Sequence, residues 1–114
     1  MRLYVCGPVS GRPRLNRPAF ERAALRLEGA GHAAILPHWF VPPGAEWQAA
    51  MRRCVETLVK CDGVALLADW QESKGARIEC RLAKELGMQA ATVDLWCGDG
   101  EVNVLRKIRR GYRA

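Results

Sequence analysis

The chain has 114 residues, of which 49% are hydrophobic and 26% are charged, and its net charge is +6. These proportions are typical of one globular domain and exclude a largely disordered chain. No apolar run approaches the roughly 20 residues that a membrane-spanning helix requires. We therefore expect a single domain over residues 1–114, without a membrane partner. The basic balance permits an anionic ligand without identifying one.

The five cysteines are odd in number and include no Cys-x-x-Cys pair. The N-terminus also lacks the apolar stretch of a secretion signal, so we expect reduced thiols and a cytoplasmic location. No spacing of cysteines and histidines matches a zinc site. We expect neither a metal nor a cofactor.

The first half of the chain alternates short apolar runs with amphipathic stretches. The predicted elements are a strand over 3–6, a helix from about Pro18 to Ala30, a strand over 33–36 and a helix from Trp47 to Leu58. Pro18 is suited to a first helical turn, and Gly31 is a natural position for the chain to leave the helix. Apolar residues at three- and four-residue spacing define the buried stripes of both helices.

The second half continues the alternation. Val64 to Ala68 is apolar at every position, which is typical of a strand buried on both faces of a parallel sheet. A helix over 74–86 and a strand over 90–95 follow, and a basic tail from about residue 99 could form a last helix.

The alternating order predicts an α/β fold with three layers: a parallel sheet of four to five strands and helices on both faces. Ligands of such sheets bind at the carboxyl ends of the strands. The loops over 7–16, 37–46 and 69–75 are therefore the predicted binding region.

Glu79 is the most informative polar residue of the predicted third helix. It shares a helix face with Ala76 and Ala83, and a carboxylate on such a face is rarely buried unless it is paired or functional. Glu79 also lies about two turns from the end of the helix that faces the ligand side of the sheet. The alternative is an ion pair at the edge of the core with one of three arginines, Arg53, Arg77 or Arg81.

Two loop segments could bind an anion. Gly7, Ser10, Gly11 and Arg12 follow the first strand, where glycines allow close approach of backbone amides and the side chains add donors. Ordinary turn chemistry explains the same residues equally well. Ser73, followed by Gly75, could cap the third helix or donate to a phosphate at its N-terminus.

Aromatic and basic residues leave further alternatives open. The aromatic side chains near the loops could stack on a base or fill a core or subunit contact, and they are Trp39, Phe40, Trp47 and Trp70. The basic tail is either a solvated helix face or a nucleic-acid contact.

Several motifs together resemble one family. They are Leu-Tyr-Val-Cys-Gly-Pro-Val-Ser-Gly at 3–11, Asn-Arg-Pro-Ala-Phe at 16–20, Cys-Asp-Gly at 61–63, and Ser73, Gly-Ala-Arg at 75–77 and Glu79. Over residues 3–95 the chain resembles the nucleoside 2-deoxyribosyltransferase superfamily. It looks closest to a small phage and bacterial branch and is similar to 2-deoxynucleoside 5′-monophosphate N-glycosidases.

The resemblance implies a flavodoxin-like fold and an enzyme that cleaves or exchanges the N-glycosidic bond of a 2-deoxynucleoside or its 5′-monophosphate. It makes Glu79 the nucleophile at C1′, with Tyr4 orienting it and Gly7 near the sugar. It also implies a homodimer or higher homo-oligomer. The phosphate side would be held by five residues, namely Ser10, Gly11, Arg12, Ser73 and Gly75.

The chain departs from the family pattern at Cys54, where the family usually has an aspartate that assists departure of the base. A thiol has a reference pKa of ~8.5 and is a poorer acid than an aspartate side chain. Glu56 and Asp69 are alternatives that do not match by position. This departure favours a second hypothesis, a nucleotide-binding module without catalysis. A third hypothesis, ranked last, is a basic protein that binds nucleic acid. We do not expect nucleic acid to be a partner.

Overall fold

The computed structural model describes residues 1–98, in which four strands alternate with four α-helices. In chain order they are β1 (Arg2–Cys6), α1 (Arg17–Gly29), β2 (Ala33–Ile35), α2 (Trp47–Leu58), β3 (Gly63–Leu66), α3 (Lys74–Glu85), β4 (Gln89–Thr92) and α4 (Val93–Cys97). None of these helices is long and apolar enough to cross a bilayer. The predicted basic tail from residue 99 lies outside the described residues.

The four strands form one all-parallel sheet in the order β2-β1-β3-β4. Leu3 of β1 is in register with Ala34 of β2 and with Gly63 of β3, so β1 is a central strand. This order is that of the first four strands of flavodoxin-like sheets. The predicted α/β class and parallel sheet are confirmed.

The sheet separates two cores, which makes the three layers. Leu3 and Val5 of β1 pack with α1 and α4 on one face, whereas Tyr4 and Cys6 pack with α2 and α3 on the other. Successive side chains of a strand point to opposite faces, which explains the division. All four residues of β3 are buried, as its continuous apolar run predicted.

The predicted fourth strand over 90–95 is wrong in its second half. β4 ends at Thr92, and Val93–Cys97 forms α4. The Thr92 hydroxyl accepts a hydrogen bond from the Leu95 amide at 3.2 Å and caps this helix. A short apolar run does not distinguish a strand from a buried helical turn, so the sequence could not locate the boundary.

At the carboxyl end of β1 the chain passes very close to the end of β3. A Cβ atom built on Gly7 would lie 2.5 Å from Leu67 Cδ1. Only glycine permits this approach without displacing Leu67. The loop after β1 therefore lies directly beside the loop that leads into α3.

Candidate active site

A cavity of about 560 Å³ opens at the carboxyl ends of β1, β2 and β3. Its size suits a small organic ligand. Its walls come from the three predicted loop regions and from α2 and α3. Eight of the nine predicted site residues line it, namely Tyr4, Gly7, Ser10, Arg12, Cys54, Ser73, Gly75 and Glu79. Gly11 does not line it and has a positive φ of 79° in the adjoining loop.

Glu79 lies at the base of this cavity, and only 5% of its surface is exposed. The Tyr4 hydroxyl donates a hydrogen bond to its Oε2 at 2.9 Å, and the Cys6 thiol donates to its Oε1 at 3.3 Å. Both donors come from β1, two residues apart and on the same face of the strand. These two hydrogen bonds from β1 fix the orientation of the Glu79 carboxyl group.

The alternative interpretation of Glu79 as half of an ion pair is wrong. No ion pair within residues 1–98 includes it. Two of the candidate arginines bond elsewhere, since Arg77 donates to the Gln71 carbonyl and Arg53 donates to the Phe40 carbonyl. Glu79 is therefore a buried carboxyl group bonded to neutral donors.

Burial raises the pKa of Glu79 to about 7, and hydrogen bonds from Tyr4, Cys6 and Cys54 limit the rise. Burial and the nearby carboxylate also raise the pKa values of Tyr4 and Cys6 well above their usual range. Both groups thus remain protonated donors at neutral pH. Under the same conditions Glu79 exchanges between a carboxylic acid and a carboxylate. The carboxylate is the form that acts as a nucleophile or general base.

Cys54 lies on α2 and forms part of the cavity wall beside Tyr4 and Glu79. Burial is the main cause that raises its pKa to about 11, so its thiol stays protonated at neutral pH. The two alternative acids do not line the cavity. Glu56 is exposed on the outer side of α2, and Asp69 bonds to Arg12.

Arg12 connects the loop after β1 to the loop after β3. Its Nη1 lies 2.9 Å from Asp69 Oδ2, and its Nη2 lies 2.7 Å from Glu72 Oε1. Two carboxylates thus balance the guanidinium charge. The sequence predicted Arg12 as a free anion donor and missed both partners, because they are about 60 residues away in the chain.

The N-terminus of α3 forms another part of the rim. The Ser73 hydroxyl accepts from the Ala76 amide at 3.1 Å, so Ser73 caps the helix as one of its two predicted roles. Next to it, Lys74 Nζ lies 4.8 Å from the centre of the Trp47 ring. The sequence drew attention to Trp47 but missed Lys74, because a lone lysine at a helix start carries no pattern.

Of the four aromatic residues, one lines the cavity and two pack against the core. Trp47 lines the cavity and is 38% exposed, whereas Phe40 and Trp70 pack partly against the core formed by α2 and α3. Trp39 is exposed and does not line the cavity.

A turn with left-handed backbone angles follows the loop after β1, and its residue Leu15 lines the cavity. Arg14, Leu15 and Asn16 all have left-handed φ angles, between 53° and 58°. Asn16 Nδ2 donates to the Pro8 carbonyl at 2.8 Å, and His38 Nε2 contacts the Leu15 carbonyl oxygen at 2.7 Å. These two bonds hold a conformation that non-glycine residues seldom adopt.

Comparison with known proteins gives a family and no activity. No curated protein matches the sequence at a significant level. Residues 1–92 match the sequence profile of a domain of unknown function, DUF4406. The match contains all four strands, helices α1 to α3 and every residue named above as lining the cavity. The chain therefore belongs to the DUF4406 family.

Proposed function

We propose that this protein cleaves the N-glycosidic bond of a 2-deoxynucleoside or its 5′-monophosphate, or transfers the deoxyribosyl group, with Glu79 as nucleophile. The observation that carries the proposal is the buried Glu79 carboxyl group, oriented by Tyr4 and Cys6 at the base of a cavity. The resemblance to the nucleoside 2-deoxyribosyltransferase superfamily over residues 3–95 supports the same reaction.

In this mechanism the ionised Glu79 attacks C1′ of the sugar. The bond from C1′ to the base nitrogen breaks, its electron pair leaves with the base, and a deoxyribosyl ester forms on the carboxyl oxygen. Water or a second base then attacks C1′ and the ester bond breaks, which releases the carboxylate. The proton lost by the attacking group replaces the one that the departing base received. Tyr4 and Cys6 stay protonated throughout and hold the carboxyl group in line.

The departing base must gain a proton, and Cys54 is the protonated side chain beside Glu79 on α2. With a pKa of about 11 it is a much weaker donor than a carboxylic acid. The proposal therefore expects slow turnover limited by departure of the base. We expect Cys54→Asp to accelerate base release, because a carboxyl group supplies the stronger acid.

The test incubates the protein with a panel of deoxynucleosides and their 5′-monophosphates, with and without a second base as acceptor. Chromatography measures the free base that is released. We expect release by the unmodified protein and loss of at least about a thousandfold in Glu79→Gln. Glu85→Gln is the matched control, since Glu85 is an exposed glutamate on the same helix. Equal release by wild type and Glu79→Gln would refute the proposal.

A second candidate is a module that binds nucleotides without cleaving them. The protonated Cys54 thiol, where the resemblance implies an acid, favours it. This candidate expects calorimetric binding of a nucleotide with no base release by wild type. The third hypothesis, nucleic-acid binding through the basic tail, depends on residues outside those described.

A further inference from the structure

We propose that Lys74, held over Trp47, is the residue that recognises the phosphate of the substrate, and that Arg12 is a strut between loops. This inference rests on the proposed function and makes Lys74 the determinant of selectivity for a 5′-monophosphate over the free nucleoside. The inference follows from two cationic side chains at the cavity, because within residues 1–98 Arg12 is paired with carboxylates and Lys74 is not.

Arg12 is poorly available to an anion. Its two outer nitrogens bond to Asp69 at 2.9 Å and to Glu72 at 2.7 Å, and Glu72 itself lines the cavity. A phosphate that approached Arg12 would meet a guanidinium charge already balanced by two carboxylates and would be repelled by both of them. The same bonds join the loop after β1 to the loop after β3, which is a structural task.

Lys74 has no such partner. Within residues 1–98 no ion pair includes it, and its ammonium group lies over the face of Trp47 at 4.8 Å. Both side chains line the cavity and both are exposed. A cation–π contact at an exposed site is weak, so a phosphate can draw the ammonium group away from the ring.

Lys74 also lines the same cavity as the reacting carboxyl group. It begins α3 five residues before Glu79, which corresponds to about 7.5 Å along the helix axis. One sugar carries both C1′ and the 5′-phosphate, so a single ligand can reach Glu79 and Lys74 together. Gly75 and Ala76 lie between them on the helix and line the same cavity.

The experiment measures binding in a Glu79→Gln background, where turnover is prevented. Calorimetry compares a deoxynucleoside 5′-monophosphate with the matching deoxynucleoside. We expect Lys74→Gln to weaken binding of the monophosphate about ten- to one-hundredfold and to leave the nucleoside unchanged, since one charge-assisted contact is lost. Lys84→Gln is the control, because Lys84 is exposed near the other end of α3.

Arg12→Gln separates the two roles. We expect this substitution to weaken binding of the nucleoside and of the monophosphate by the same factor, because it loosens the loops without removing the phosphate contact. If Arg12→Gln abolishes the preference for the monophosphate, or Lys74→Gln affects both ligands equally or neither, the inference is overturned. Base release by wild type would then still support the proposed reaction. If neither ligand binds and no base is released, the proposed function fails as well.

Discussion

The candidate site centres on one ionisable group, Glu79, which Tyr4 and Cys6 hold against the sheet. Its burial and its neutral donors act on the pKa in opposite directions, and burial has the larger effect. Two measurable consequences follow, one for activity and one for stability.

Activity should depend on pH through the ionisation of Glu79. Because its pKa is about 7, we expect kcat/KM for base release to rise from pH 5.5 to 8 as the carboxylate forms. Tyr4→Phe removes a donor that lowers this pKa, so the midpoint should move to higher pH and activity at pH 7 should fall about tenfold. Partial recovery at alkaline pH distinguishes this effect from loss of structure, which would lower activity at every pH.

Stability should depend on the same group in the opposite direction, because it should fall as pH rises. The pKa of Glu79 in the folded protein, about 7, exceeds its ordinary value of 4.5, so the folded state binds the proton more tightly. The contribution is complete below about pH 4.5 and is lost as pH rises through 7, by at most about 3 kcal/mol. In Glu79→Gln the glutamine resembles the protonated acid at every pH, so this variant should lack the pH-dependent contribution.

Urea denaturation checks this expectation. We expect wild type to lose stability between pH 5 and 8.5, while Glu79→Gln loses much less over the same range. Glu85→Gln should follow wild type, because Glu85 is exposed. Parallel curves for wild type and Glu79→Gln would mean that the carboxyl group is solvated in solution.

At the scale of elements, the site depends on how closely β1 and β3 bring their following loops together. The sequence predicted this arrangement from the alternation of strands and helices and from the continuous apolar run of β3. It predicted the end of β4 wrongly, because Val93–Cys97 is a capped helical turn with an apolar composition. Periodicity therefore located the strands that form the site and failed at the edge of the sheet.

Gly7→Ala tests the close approach of the two loops. The added Cβ would lie 2.5 Å from Leu67 Cδ1 and 3.0 Å from Leu67 Cβ, so Leu67 must shift. We expect a loss of about 1–3 kcal/mol in the free energy of unfolding, typical of an overpacked core. Gly29→Ala is the control, since no atom lies within 4 Å of its added Cβ at the end of α1. It should stabilise the protein by at most about 1 kcal/mol. Equal effects of the two substitutions would contradict the packing argument.

At the scale of the whole molecule, the sequence located the cavity better than it assigned its charges. The three loop regions and Glu79 follow from local patterns, which a reader of the sequence can count. The bonds of Arg12 to Asp69 and Glu72, and of Cys6 to Glu79, join residues that lie 57 to 73 positions apart. No local pattern encodes such pairs, and so the role of Arg12 required the fold. Association into a homo-oligomer stays a prediction.

The distance in sequence between β1 and Glu79 also determines when the site can form. Tyr4 and Cys6 lie 75 and 73 residues before the carboxyl group that they orient. During synthesis β1, α1 and β2 can associate early, whereas the cavity must wait until α3 has docked. Docking carries the Glu79 carboxyl group out of water. Between about pH 4.5 and 7 that step takes up a proton, whereas above pH 7 it buries the charged carboxylate. We therefore expect closure of the candidate site to be the late step of folding that alkaline conditions slow most.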